Sequence, residues 1–130
     1  MFTIGDAANK AGVTTRAVRL YEAKGLLAPA ERTESGYRLF TDDDVETLSF
    51  IRRGRRLGLS LEAIAEVLAL SRTGAPCDRT RTLLNERVNE IDDTISDLQQ
   101  LRATIVAAQQ ADCSQAGATR CAMIESAATG

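Results

Sequence analysis

Residues 77–112 read CDRTRTLLNERVNEIDDTISDLQQLRATIVAAQQAD, and the spacing of their apolar side chains decides the fold. From Asp78 to Asp112 there is neither proline nor glycine, the two residues that most readily end a helix. Leu84, Val88, Ile91, Ile95 and Leu98 step by 4, 3, 4 and 3, and Leu101, Ile105 and Ala108 continue after a small offset. This is a heptad seam. One helix over 78–110 would be about 50 Å long at about 1.5 Å per residue. A lone helix of that length would leave its stripe in water, so a partner is expected, and an antiparallel two-fold pair is the economical one.

The three cysteines of the chain flank this segment: Cys77 before it, Cys113 and Cys121 after it. A single straight helix holds Cys77 far from the other two, whereas two antiparallel copies would place each Cys77 beside its partner's pair. As small hydrophobes, cysteines are often simply buried. Against that reading, Cys77 stands at a helix start, where the dipole favours a thiolate. Cys113 and Cys121 lie among Ser, Gln, Ala, Gly and Thr, with no core to join. An odd number of cysteines in a chain without a signal core argues against a disulfide framework. A four-ligand zinc site lacks donors, since the chain has no histidine, and three soft thiolates suit a thiophilic ion of low coordination number.

The 130 residues suit one compact domain plus an extended element, and with few aromatics the core must be aliphatic. No apolar run reaches bilayer length and no hydrophobic leader opens the chain, so a cytoplasmic protein without a membrane partner is expected. Residues 1–76 carry 11 Lys+Arg against 10 Asp+Glu, and residues 77–130 carry 5 against 8. Net charge therefore makes no case for nucleic acid, and the arrangement of the arginines must.

Upstream, Thr3 is an N-cap with Asp6 in the capping-box position, and Gly12 stops a short helix. Thr14 or Thr15 caps a second helix, whose buried stripe is expected at Val13 or Ala17, Leu20 and Ala23, ending at Gly25. Together these form a helix-turn-helix pattern. Leu26 to Phe40 reads as a small β-hairpin whose tip presents Arg32, Tyr37 and Arg38. Thr41 with three following aspartates starts a third helix with an apolar face of Val45, Leu48, Ile51 and Leu57, and Arg52, Arg53, Arg55 and Arg56 make its end basic. Gly58 and Ser60 restart the chain into a helix bearing Leu61, Ile64, Ala65, Leu68 and Ala69.

Arg16 and Arg19 share a face of the second helix, with Tyr21 close by and Arg38 on the hairpin. Arginine bonds guanine edges or phosphate, and a helix fits the major groove. The plainer reading is a solvated face whose arginines pair with carboxylates such as Glu22. The hairpin and the arginine cluster tip the balance towards DNA. An enzyme is disfavoured: there is no histidine base, no Cys-x-x-Cys and no Gly-rich phosphate loop. A thiol or metal buffer without DNA binding is the alternative.

The start Phe2-Thr-Ile-Gly-Asp6, the run Arg16-Ala-Val-Arg-Leu-Tyr-Glu-Ala-Lys-Gly-Leu26-Leu27, the stretch Arg32-Thr-Glu-Ser-Gly-Tyr-Arg38 and the long helix before a cysteine loop resemble MerR-family transcriptional regulators. The resemblance implies a mainly α fold: a winged helix-turn-helix DNA-binding domain with connecting helices over 1–76, an antiparallel coiled-coil dimerisation helix over 77–111, a metal-binding loop over 112–122 and a tail over 123–130. It implies a homodimer on double-stranded operator DNA that distorts the promoter for RNA polymerase when an effector binds. It places Arg19, Tyr21, Tyr37 and Arg38 on DNA; Arg16, on the face of Arg19, and Arg32, at the hairpin tip, are the further candidates read from the residues themselves. It places Cys77 of one protomer with Cys113 and Cys121 of the other on the metal. A cysteine at position 77 goes with divalent-ion sensors in this family, so mercury(II) is the expected effector, with lead, cadmium and copper(I) as alternatives. The loop has seven residues between its cysteines, as in copper sensors, and Ser114 where proline is frequent.

Overall fold

The computed structural model describes residues 1–28, 32–111 and 120–127. Six helices follow in order: α1 Ile4–Ala11, α2 Thr15–Ala23, α3 Asp42–Arg56, α4 Leu61–Ser71, α5 Cys77–Gln109 and α6 Ala122–Glu125. The chain divides into a unit over Met1–Leu84 and a second over Asn85–Gly130. No helix among the described residues is long and apolar enough to cross a membrane.

Each of the first four helices starts on a hydroxyl that accepts a backbone N–H three residues on. Thr3 Oγ1 takes Asp6 N at 3.3 Å, Thr14 Oγ1 takes Ala17 N at 3.0 Å, Thr41 Oγ1 takes Asp44 N at 3.1 Å and Ser60 Oγ takes Ala63 N at 3.1 Å. Such a cap satisfies one otherwise orphaned donor and contributes roughly 1 kcal/mol. Gly12 ends α1 in the left-handed region at φ 74°, where a side chain would be strained. On α3, Asp42, Asp43 and Asp44 stand in the first turn and Arg53, Arg55 and Arg56 in the last, complementing the helix dipole at both ends.

In the first unit α1 packs on α2 and α3, and α3 packs on α4. Phe40, Leu48, Ile51, Ile64 and Val18 are fully enclosed, each contributing about 1.5–3 kcal/mol by leaving water. Leu83 in the first turns of α5 is the last buried residue of the described chain.

Three expectations are corrected here. The buried stripe of α2 is Val18 and Tyr21, while Leu20 is 45% exposed. With Thr14 as cap, positions 18 and 21 fall on one face and join the core cluster that also holds Ala7, Ala8 and Ala11 of α1. Leu57 caps the end of α3 and is exposed rather than part of its apolar face. Between Leu26 and Phe40 the described residues contain no extended strand. Leu26 and Leu27, read as the hairpin's first arm, are buried in the helical core. What forms instead is a tight turn closed by one antiparallel bridge, Arg32 to Arg38, with Thr33 N donating to Tyr37 O at 2.7 Å and Gly36 at φ 85°. A second bridge, Phe2 to Phe40, ties the end of this segment to the N-terminus.

In the second unit α5 carries its seam in the open. Val88, Ile91, Ile95, Leu98, Leu101 and Ile105 are between 42% and 59% exposed in the single chain.

Candidate nucleic-acid interface and thiol positions

The helix-turn-helix places Arg16 and Arg19 one turn apart on the outer side of α2, both exposed. No ion pair among the described residues engages either one. The turn after α2 adds Tyr37, 75% exposed, and Arg32, which donates from Nη1 to Gly36 O at 2.9 Å and keeps most of its guanidinium in solvent. Arg19, Glu22, Arg32, Tyr37 and Arg38 line a shared cleft of about 610 Å³ between α2 and the turn. Cationic forks, a phenol and an exposed helix around an open cleft can hold phosphate and reach base edges.

Two of the six expected contact residues turn inward. Tyr21 belongs to the core cluster. Arg38 is not presented at a tip: its side chain is only 8% exposed. Its Nε lies 3.0 Å from Glu22 Oε2, close enough for an ion pair though outside hydrogen-bond alignment. Its Nη2 donates to Ala28 O at 3.1 Å and lies 3.8 Å from Asp44 Oδ2, and its guanidinium stacks 4.5 Å from the centre of the Phe40 ring. A guanidinium flanked by two carboxylates and a ring serves as a strut. Glu22, noticed in the sequence only as a competitor for arginine, is therefore part of the site's frame. Its signal was its place one turn beyond Arg19 on the same helix.

Cys77 is the first residue of α5 and Cys121 directly precedes α6, and both are exposed. Cys113 lies outside the described residues. Among the described residues no group of three or more His, Cys, Asp or Glu side chains could hold a metal ion. Beside Cys77, Arg79 Nε of α5 pairs with Glu66 Oε1 of α4 at 2.9 Å, tying the first turn of α5 to the rest of the first unit.

Residues 2–71 match the model of the MerR HTH family regulatory proteins, and residues 45–108 match a second model described as MerR, DNA binding. The chain belongs to the MerR family. As a MerR-family protein it is a DNA-binding transcriptional regulator and not an enzyme. It is 42% identical over 104 residues to the heavy metal-dependent transcription regulator 2 of Rhizobium meliloti (strain 1021), covering 78% of this chain and 70% of that one. Among solved structures it resembles the regulator PbrR691 from Ralstonia metallidurans CH34 in complex with lead(II), with TM-score 0.83 and 28% identity over 98% of this chain and 100% of that one. It also resembles the regulator MerR from Bacillus megaterium MB1 in complex with mercury(II), with TM-score 0.66 and 29% identity over 95% and 97% of the two chains.

Proposed function

We propose that this MerR-family chain is a metal-responsive transcriptional regulator that binds a promoter operator as a homodimer and responds to mercury(II). The observation that carries the DNA half is the cleft that Arg19, Arg32 and Tyr37 line together, with Arg16 exposed one turn before Arg19 on α2. In this reading these four side chains meet the operator, while Tyr21 and Arg38 stand behind them and hold the face in shape. The open seam of α5 supports the dimer, since a second copy would cover six aliphatic side chains that the single chain leaves in water. RNA polymerase is the partner that reads the resulting change in promoter shape.

The metal half rests on donor chemistry. The chain offers three thiols and no histidine, a set that fits a soft, thiophilic ion and not a four-coordinate zinc. Following the MerR-family resemblance, we assign the ligands to Cys77 of one protomer with Cys113 and Cys121 of the other. Bound there, the ion would supply a thiolate bridge between protomers. Arg79 and Glu66 give the Cys77 end of α5 a direct link to the DNA-binding unit.

Lead(II) is the second reading, favoured by the likeness over the whole of the lead-bound regulator PbrR691. A metal panel on a reporter driven by the chain's own promoter region tests both, with footprinting of that region at two salt concentrations. Mercury(II) should give the largest output and a salt-sensitive, sequence-specific footprint should accompany it. Output from lead(II) alone would replace the ion, and a missing footprint would remove the regulator reading.

A further inference from the structure

We propose that Glu22 is a positioning residue whose carboxylate brackets Arg32 and Arg38, setting where the turn presents Tyr37 relative to Arg19 on α2. The inference rests on the reading that α2 and this turn face DNA. Glu22 Oε2 lies 3.0 Å from Arg38 Nε and Glu22 Oε1 lies 3.7 Å from Arg32 Nη2. Arg32 and Arg38 are the two residues of the antiparallel bridge that closes the turn. One carboxylate on α2 therefore holds both ends of that turn. Among the described residues no other hydrogen bond or ion pair joins α2 to residues 32–40.

The two arms of the bracket differ in kind. Arg38 is nearly enclosed, and an enclosed guanidinium needs counter-charge, which Glu22 and Asp44 supply from two different helices. Arg32 is 60% exposed and its pairing with Glu22 is loose, so this arm steers a side chain that remains available to phosphate. Without Glu22 the guanidinium keeps Asp44 and Ala28 O on its Nη2 side, but its Nε loses the carboxylate that ties it to α2. The turn is then freed to move against α2, and Arg19 and Tyr37 no longer keep one spacing along the duplex.

Charge makes the test sharp. Glu22 lines the cleft that faces DNA, so as a plain surface acid it would repel phosphate, and its removal would tighten binding. As a bracket it does the opposite. The experiment compares full-length wild type, Glu22→Gln and Glu22→Asp on the duplex footprinted from the chain's own promoter region and on an unrelated duplex of equal length. Far-UV circular dichroism and thermal melting are run on each. The bracket predicts that both variants lose about tenfold in operator affinity, about 1.4 kcal/mol, while each still shows the wild-type circular-dichroism spectrum and a cooperative melt above the assay temperature. Glu22→Gln should at the same time hold the unrelated duplex as well as wild type or better. Glu22→Asp is the stricter variant, because it keeps the charge but is one methylene too short to reach both arginines. Operator affinity equal to or above wild type in Glu22→Gln, or unchanged in Glu22→Asp, overturns the proposal. So does a loss of operator affinity accompanied by loss of the folded circular-dichroism signal at the assay temperature. A wild-type chain with no operator preference overturns instead the DNA-facing reading on which the bracket stands.

Discussion

Thr41 and Asp44 each accept the other's backbone N–H: Asp44 Oδ2 takes Thr41 N at 2.9 Å and Thr41 Oγ1 takes Asp44 N at 3.1 Å. The same Oδ2 lies 3.8 Å from Arg38 Nη2. One buried carboxylate thus starts α3 and helps to neutralise the strut under the turn. Asp44→Ala should cost about 2 kcal/mol, the upper range for loss of a helix cap, because an enclosed arginine also loses an anion. Asp44→Asn keeps the acceptor and should cost about half as much. Urea unfolding measures both, and wild-type stability in Asp44→Ala would show that the reciprocal cap contributes nothing.

Helix starts were legible in the sequence because a cap is a local event. Thr3, Thr14, Thr41 and Ser60 each bond a backbone N–H three residues away, and no tertiary contact is needed to foresee it. The phase of α2 was not legible. Nine residues hold too few turns for a stripe to declare itself, and Leu20 is the more apolar choice until Val18 and Tyr21 are seen within the core cluster. Arg38 was misplaced for a related reason. Its burial depends on Glu22, on Asp44 and on the Phe40 ring together, a meeting that no spacing rule encodes. The thiols were legible as types, because their residue identities and the lack of histidine are read directly from the sequence.

Gly54 sits within α3 where a Cβ would come within 2.8 Å of Ile64 Cδ1 and 2.9 Å of Ile64 Cγ1. Alanine gains about 1 kcal/mol in helix propensity, yet it forces a nearly fully buried, β-branched side chain of α4 to move. Overpacking of this kind costs about 1–3 kcal/mol, so Gly54→Ala should be net destabilising. Ile64→Val removes Cδ1, one of the two clashing atoms, so the double mutant should be more stable than the sum of the two single effects. Additive thermal-unfolding values would mean that α3 and α4 are not in close contact at this point.

Arg19 is exposed on α2 and no described carboxylate neutralises it. Arg19→Ala should weaken operator binding by about 1–3 kcal/mol while leaving the fold unchanged. If the contact is to phosphate, the slope of log affinity against log salt should fall by about one. Titration by fluorescence anisotropy reads both quantities, and an unaltered isotherm would make Arg19 a surface charge only.

Every buried residue of the described chain lies at or before Leu83, so a charge placed further along α5 leaves the core untouched. Ile95→Glu should therefore fold normally in its first unit yet sediment as a monomer at micromolar concentration. Glutamate opposite an apolar partner residue must be desolvated without a counter-charge, which outweighs the aliphatic burial that one seam position provides. A variant that sediments as the wild type does would place the dimer contact elsewhere.

Sharing of thiols between protomers is separable from a site within one chain by mixing two defective proteins. Cys77→Ser lacks the first ligand, and a Cys113→Ser, Cys121→Ser protein lacks the other two, so neither homodimer owns a complete set. In a heterodimer the intact Cys77 of one protomer faces the intact pair of the other at one of the two sites, while the second site has no thiol left. Random exchange at equal concentrations makes half the dimers heterodimers, so mercury held by three thiolates, beyond what the Cys113 and Cys121 pair binds in Cys77→Ser alone, should return to about a quarter of the wild-type amount. The ultraviolet thiolate-to-metal absorption of the exchanged mixture, read against each protein alone, measures that fraction. Operator affinity should stay near wild type throughout, because Arg16, Arg19, Arg32 and Tyr37 are untouched. If the three ligands belong to one chain, exchange restores nothing and the mixture gives only the average of its parts.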